Sequence, residues 1–176
     1  NWLREFSYEY REKVGIRFIC TMHPMHISPE SVLYLKKADC RQITLGVQSW
    51  DVNIRRDLLN REISNVVMEK AMRLVEEEKI TLIVDNIFGF PNQDEEELIQ
   101  SLLFYTAIKP GRIFFYNLKY YPKTAITEIA KHNGFLSSQR FEEILDGKNI
   151  RGVYFDSFLE NKTTRNTTIN TQSLLY

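Results

Sequence analysis

Between two helical patterns lies a run that only a sheet covered on both faces accommodates: Ile80 to Phe88, reading ITLIVDNIF. A strand solvated on one face alternates polar and apolar residues, whereas one buried on both reads as a nearly unbroken apolar stretch, as in parallel sheets. Gly89 and Pro91 end the run. Upstream, Ile63 to Lys79 sets Val66, Val67, Ala71, Leu74 and Val75 at helical spacing, and downstream Asp94 and Glu97 stand at capping-box spacing before a helix to about Ile108. The same rhythm runs along the chain. Trp2 to Lys13 is a predicted helix stopped by Gly15, and Ile16 to Met22 a strand. Ser28 caps a helix with Pro29 at its first position, ending near Ala38. Gln42 to Gln48 is a second strand, followed by a short helix, capped by Asp51 or Asn53, that ends near Asn60. After the Pro110-Gly111 turn, Arg112 to Tyr120 is a fourth strand, with helices over Thr124 to His132 and Ser137 to Leu145. Strands separated by helices require parallel pairing with right-handed crossovers. The predicted fold is α/β: a partial (β/α) barrel of the TIM type, about four parallel strands with helices on the outside, over residues 1–147. Residues 148–176, rich in Asn, Thr and Ser, are expected to form a polar tail or strap.

Lys+Arg and Asp+Glu both number 23, a net charge of zero that argues against electrostatic capture of nucleic acid or an anionic membrane. No apolar stretch approaches a membrane span and no signal-peptide pattern opens the chain, so a cytoplasmic location is expected. Cys20 and Cys40 are the only cysteines; their separation fits no zinc or iron–sulfur ligand set, and both are expected to be half-buried free thiols. The chain begins with Asn inside an amphipathic pattern and reads as a piece of a longer protein.

In parallel α/β folds the working residues gather at the C-terminal ends of the strands. The first strand ends in Thr21-Met22-His23-Pro24-Met25-His26, where His23 and His26 can face a substrate, transfer protons, ligate a metal if further ligands converge, or simply pack in the loop. The second ends in Gln48-Ser49; the Gln amide can both donate to and accept from a diol. Arg55, Arg56 and Arg61 follow, any of which can pair with a carboxylate or lie on a solvated helix face. In the third, Asp85 and Asn86 are costly inside an apolar strand unless partnered, and period-2 alternation sends them to opposite faces. Gly89 allows backbone to approach a ligand closely. The fourth ends in Tyr120-Tyr121-Pro122-Lys123-Thr124, suited to stacking on a flat heterocycle or to core packing.

In order and spacing these strand ends resemble the second half of the radical-SAM core. The segments that carry the resemblance are Gly46-Val47-Gln48-Ser49 with Leu58-Leu59-Asn60-Arg61, then Asp85 to Leu98, then Tyr120 to Ala125, with Met22-His23-Pro24 where the third barrel strand ends. They cover residues 10 to 145, and the nearest flavour is the cobalamin-binding, porphyrin-ring cyclase type. The resemblance implies that Gln48 contacts the ribose hydroxyls of S-adenosylmethionine (SAM) and that Arg61 lies near its carboxylate. It further implies that Ser49, Asp85 and Gly89 line the cofactor site, and that backbone at Tyr121 lies beside the adenine. His23, His26 and Asn86 are the expected substrate-facing residues, and no metal ligand is assigned. Asn92 and Lys123 stand where the family has Gly, a departure that bears on loop shape and the adenine contact.

In the family a Cys-x-x-x-Cys-x-x-Cys loop holds the [4Fe–4S] cluster at which SAM is cleaved to a 5′-deoxyadenosyl radical. That loop is missing from this sequence, and thiolates must converge on one cluster, so Cys20 and Cys40 cannot replace it. The expected cofactors, SAM and [4Fe–4S], therefore belong to a parent iron–sulfur oxidoreductase or methyltransferase, with cobalamin possible in an additional domain. The expected partners are the N-terminal half of the same barrel, a small-molecule substrate, and a second copy through exposed sheet edges. The alternative reading is a half-barrel binding or assembly module without catalysis. A phosphate-binding barrel enzyme is disfavoured by the lack of a Gly-rich cradle near Pro110 or Pro122.

Overall fold

The computed structural model describes residues 2–91 and 93–147. The tail expected over 148–176, and the Asn92 departure, lie outside them. Helix α1 (Trp2–Lys13) leads into β1 (Phe18–Met22), α2 (Pro29–Lys37), β2 (Cys40–Gln48), α3 (Asn65–Glu77), β3 (Thr81–Phe88), α4 (Glu95–Ile108), β4 (Arg112–Asn117), α5 (Ala125–His132) and α6 (Ser138–Leu145). The strands form one parallel sheet in the order β1-β2-β3-β4. This is the expected α/β architecture of a partial (β/α) barrel, and α2, α3, α4 and α6 each start at a side-chain cap. Ser28 accepts from the Ser31 amide while the Ser31 hydroxyl accepts from the Ser28 amide, closing a reciprocal cap ahead of Pro29. Ser64, Asp94 and Ser137 each accept the amide three residues on. The short helix expected before Asn60 is a single π-type turn, Ile54–Leu58, opened by Asp51 accepting from the Asn53 and Ile54 amides.

The two faces of the sheet differ. Ile43, Leu45 and Val47 of β2 and Leu82 and Val84 of β3 point toward the helices and pack with Val32 and Leu35 of α2, Met68, Met72 and Val75 of α3, and Tyr105 and Ile108 of α4. Each such side chain removed from water contributes roughly 1.5–3 kcal/mol. A second cluster, Ile54, Phe90, Leu118, Tyr120, Ala130, Leu136 and Ile144, seats α5 and α6 beyond β4. On the opposite face Thr44, Gly46 and Gln48 of β2 and Asp85 and Ile87 of β3 are only half-buried. Phe114 and Tyr116 of β4 are exposed. We call this the open face.

Cys20 and Cys40 are free, Cys20 half-buried and Cys40 buried, with their sulfurs 3.7 Å apart on neighbouring strands. Sharing a hydrogen with Cys40, together with burial, raises the Cys20 thiol pKa. Among the described residues no helix is long and apolar enough to cross a membrane.

Candidate functional site

The C-terminal ends of β1, β2 and β3 converge around Gly46. A β-bulge shifts the register of β2 against β3 between Gly46 and Gln48, so that Gly46 faces Asp85 while Gln48 faces Asn86. At the bulge Gln48 takes φ 72°, a left-handed conformation rare for a side chain of its size. Its carboxamide folds back over Gly46: a Cβ built on that glycine would lie 2.8 Å from Gln48 Nε2 and 3.6 Å from Arg61 Nη1. Arg61 Nη1 donates to the Gly46 carbonyl at 3.1 Å, and its other guanidinium donors bond none of the described residues. Beside them Asp85 Oδ1 is buried with no hydrogen-bond partner among the described residues, and desolvation raises the pKa of its carboxyl. An amide, a guanidinium and a carboxylate thus share one patch of the open face. Together they can meet a hydroxyl pair, a carboxylate and an N–H or O–H donor.

His23 stands near this patch from the end of β1. Burial first, then the charges of Arg61 and His26, lower its pKa. Its Nδ1 accepts from the Met25 amide at 3.2 Å, capping the turn at Pro24–His26. The exposed His26 ring lies 6.0 Å from that of His23, centroid to centroid. No group of three or more His, Cys, Asp or Glu among the described residues is arranged to hold a metal ion.

The structure corrects two expected site residues. Ser49 is fully buried, its hydroxyl donating to Glu97 Oε1 at 2.8 Å and accepting from the Asp51 amide, so it holds the loop rather than a ligand. Asn86 is fully buried and accepts at 2.8 Å from the Tyr105 hydroxyl of α4, so it faces the helices and not a substrate. Alternation sends Asp85 and Asn86 to opposite faces, and the pairing with β2 decides which is which. Gly89, at φ 87°, is required by its backbone conformation, and its amide is taken by Gln93 Oε1 at 2.7 Å. Tyr121 is exposed beside a cleft of about 550 Å³ lined also by Ile87, Tyr116 and Asn117, whereas its carbonyl is occupied by Thr124 and Thr127.

Two residues that hold the site show only local signals in the sequence. Glu97 stands at capping-box spacing from Asp94, and Asp94 does accept the Glu97 amide at 2.9 Å. The Glu97 carboxylate, however, reaches across to residues 49–51. Arg55, one of three candidate arginines, is 0% exposed and donates to the Ser49 and Ile63 carbonyls and to Asn65 Oδ1. Arg56 is exposed and pairs with Asp57. Only Arg61 of the three reaches the open face.

Comparisons with known proteins agree with this fold. The chain is 26% identical over 116 residues to the oxygen-independent coproporphyrinogen III oxidase of Paracoccus denitrificans, an alignment covering 65% of this chain and 26% of that protein. It is 31% identical over 91 residues to the tRNA-2-methylthio-N(6)-dimethylallyladenosine synthase of Clostridium perfringens, covering 49% of the chain and 20% of the relative. The chain thus spans about a quarter or less of the curated relatives it matches. Among solved structures it resembles the radical S-adenosylmethionine methyltransferase TsrM from Kitasatospora setae, solved with cobalamin and a [4Fe-4S] cluster bound. That match has a TM-score of 0.65 at 20% identity, over 76% of this chain and 28% of that one. It also resembles coproporphyrinogen III oxidase (HemN) from Escherichia coli, a radical SAM enzyme, with a TM-score of 0.63 at 21% identity, over 81% of this chain and 34% of that one. The family model for the radical SAM superfamily matches residues 3–105, more than half of the chain, and the chain belongs to that superfamily.

Proposed function

We propose that this chain is the C-terminal half of a radical-SAM barrel and forms the wall that binds the nucleoside and amino-acid ends of SAM. The observation that carries the reading is the convergence of Gln48, Arg61 and the unpartnered Asp85 around Gly46 on the open face. The Gln48 amide serves the ribose hydroxyls, since one amide both donates and accepts. Arg61, with one nitrogen anchored on the Gly46 carbonyl, presents its remaining donors to the ligand carboxylate. Asp85 offers a desolvated oxygen in need of a donor. Tyr121 and Tyr116 border the cleft nearest the expected adenine position, and His23 and His26 face the substrate side.

A radical-SAM [4Fe–4S] cluster reductively cleaves bound SAM. The two cysteines here do not fit such a cluster. They number two, they contact each other, and Cys20 packs with the core on the helix side, away from Gly46. The cluster ligands are therefore assigned to the remaining part of the barrel, which pairs with the free edges of β1 and β4. Each of these strands has one neighbour among the described residues. The likeness to TsrM, at 20% identity, is one of fold, and cobalamin is no part of this proposal.

The test is calorimetric titration of the intact protein with S-adenosylhomocysteine, comparing Gln48→Ala and Arg61→Ala with the parent. Each replacement should weaken binding tenfold or more while the melting temperature holds. Undiminished binding in both variants would overturn the reading and favour a half-barrel that works by assembly alone.

A further inference from the structure

The strained turn at Gln48 has a single carboxylate behind it. Glu97 Oε1 accepts from the Ser49 hydroxyl at 2.8 Å and from the Trp50 and Asp51 amides at 3.2 and 3.3 Å, three consecutive residues directly after Gln48. Ser101, one turn further along α4, donates to the same oxygen at 3.3 Å. The other oxygen accepts from Gln93 Nε2, and Gln93 Oε1 in turn accepts from the Gly89 and Phe90 amides. One carboxylate thus ties the segment leaving β2, which carries Gln48, to the segment leaving β3, which carries Asp85. From the other side Arg55 holds the Ser49 carbonyl at 2.7 Å. Left-handed backbone at a non-glycine residue persists only where its surroundings over-determine it. Here they do, through bonds that span nearly fifty residues of sequence.

We propose that Glu97 is a positioning residue. It fixes residues 49–51 so that Gln48 keeps its left-handed turn and its carboxamide stays over Gly46, and it thereby sets the affinity of the site for the ribose of SAM. The inference rests on the SAM-site reading above and adds a residue that never touches the ligand.

The test again uses the intact protein and S-adenosylhomocysteine. In Glu97→Gln the new amide nitrogen faces Gln93 Nε2, donor against donor, and affinity should fall about tenfold. The double swap Gln93→Glu with Glu97→Gln restores every donor–acceptor pair. The carboxylate then at position 93 accepts from the Gly89 and Phe90 amides and from the new amide nitrogen, while the amide oxygen at position 97 keeps residues 49–51. Affinity should return to within about threefold of the parent. Because Glu97 acts through Gln48, the loss should vanish when Glu97→Gln is made in a Gln48→Ala background. A general weakening of the fold would persist there. Should Glu97→Gln not accumulate folded, Ser49→Ala, which removes one donor to Oε1, takes its place with a smaller loss and the same disappearance in Gln48→Ala. Parent-like binding by Glu97→Gln, or an equal loss in the Gln48→Ala background, overturns the inference alone. Parent-like binding by Gln48→Ala overturns this inference, and parent-like binding by Arg61→Ala as well overturns the SAM-site reading with it.

Discussion

Replacing Gly46 by Ala separates what the site needs from what the fold needs. Gly46 lies mid-strand on β2 and is not among the positive-φ glycines, so alanine adopts its backbone without strain. Trading glycine for alanine at a compatible position stabilises by about 0.4–1 kcal/mol through the unfolded chain. Against that, the new Cβ would sit 2.8 Å from Gln48 Nε2, a separation real Cβ atoms do not tolerate, and 3.6 Å from Arg61 Nη1, which is ordinary contact. The tight contact is with the far end of a flexible side chain. Relief therefore comes from rotating the Gln48 carboxamide away, at about 0.5–1.5 kcal/mol if it leaves its rotamer well. The two terms nearly cancel, and the melting temperature of the intact protein should move by no more than about 4 °C, the shift worth about 1 kcal/mol.

Binding has no such compensation. A carboxamide moved off Gly46 forfeits the one or two hydrogen bonds assigned to the ribose, each worth roughly 0.5–1.5 kcal/mol. With tenfold in affinity for every 1.4 kcal/mol, the expected loss is between about twofold and about 140-fold. Calorimetry with S-adenosylhomocysteine and a melting curve on the same sample read both quantities. Parent-like affinity would show that the amide over Gly46 does not serve the ligand. A drop in melting temperature of ten degrees or more would show instead that the clash is carried by the backbone and that the soft-contact argument is wrong.

Tyr105→Phe removes the hydroxyl donating to buried Asn86 Oδ1, whose amide nitrogen has no partner among the described residues, and should destabilise by about 1–3 kcal/mol, read as a lower melting temperature with ligand affinity retained. His23 has its pKa lowered in the folded protein, so the unfolded chain binds the proton more readily: stability holds above the ordinary histidine pKa of about 6.5 and falls as pH drops below it, levelling off under the folded value. His23→Asn keeps a capping acceptor for Met25 and should flatten melting curves measured across that acid range; an unchanged pH profile would clear His23 of the effect. Asp85 has its pKa raised, so its protonated form is favoured in the fold, and that advantage is lost as pH rises through the folded pKa. At neutral pH Asp85→Asn should therefore raise the melting temperature while weakening S-adenosylhomocysteine binding, and a variant that loses both would refute an uncompensated carboxylate.

The parts legible in the sequence are those fixed by neighbours along the chain. Apolar runs and caps such as Ser28-Pro29 mark the elements, and the alternation of strand and helix dictates the parallel sheet. Alternation also puts Asp85 and Asn86 on opposite faces. Nothing local says which face is the helix side, and the answer comes from Tyr105, nineteen residues away, and from Gly46 across the strand pair. Ser49 looks like a ligand contact because it follows Gln48. The bulge between Gly46 and Gln48 precedes its burial against Glu97, and a register shift leaves no mark in composition. Glu97 is hidden for the opposite reason. Its spacing to Asp94 supplies a sufficient local explanation, so nothing along the chain points to its bonds with residues 49–51.

The same asymmetry explains why the open face is built at a cost to stability. On the helix side Ile43, Leu45 and Val84 are fully buried and every methylene contributes. Across the backbone, Gly46 gives up side-chain burial, Gln48 holds a left-handed turn, and Asp85 keeps a desolvated oxygen without a donor among the described residues. Each choice weakens an isolated sheet, and each would be reversed by the proposed ligand if it packs on the glycine, bonds the amide and donates to the carboxylate. A surface of this kind is stabilised by what it binds: at a hundredfold excess over the dissociation constant, a ligand that sees only the folded state adds about 2.7 kcal/mol. Phe114 beside Asp85 and Tyr116 beside Ile87 extend the same face in apolar rings that the described residues leave exposed. Polar groups in need of partners and rings in need of cover thus lie on one side of the sheet. The proposed recognition chemistry therefore lies on the open face, opposite the helix-side core that carries the stability.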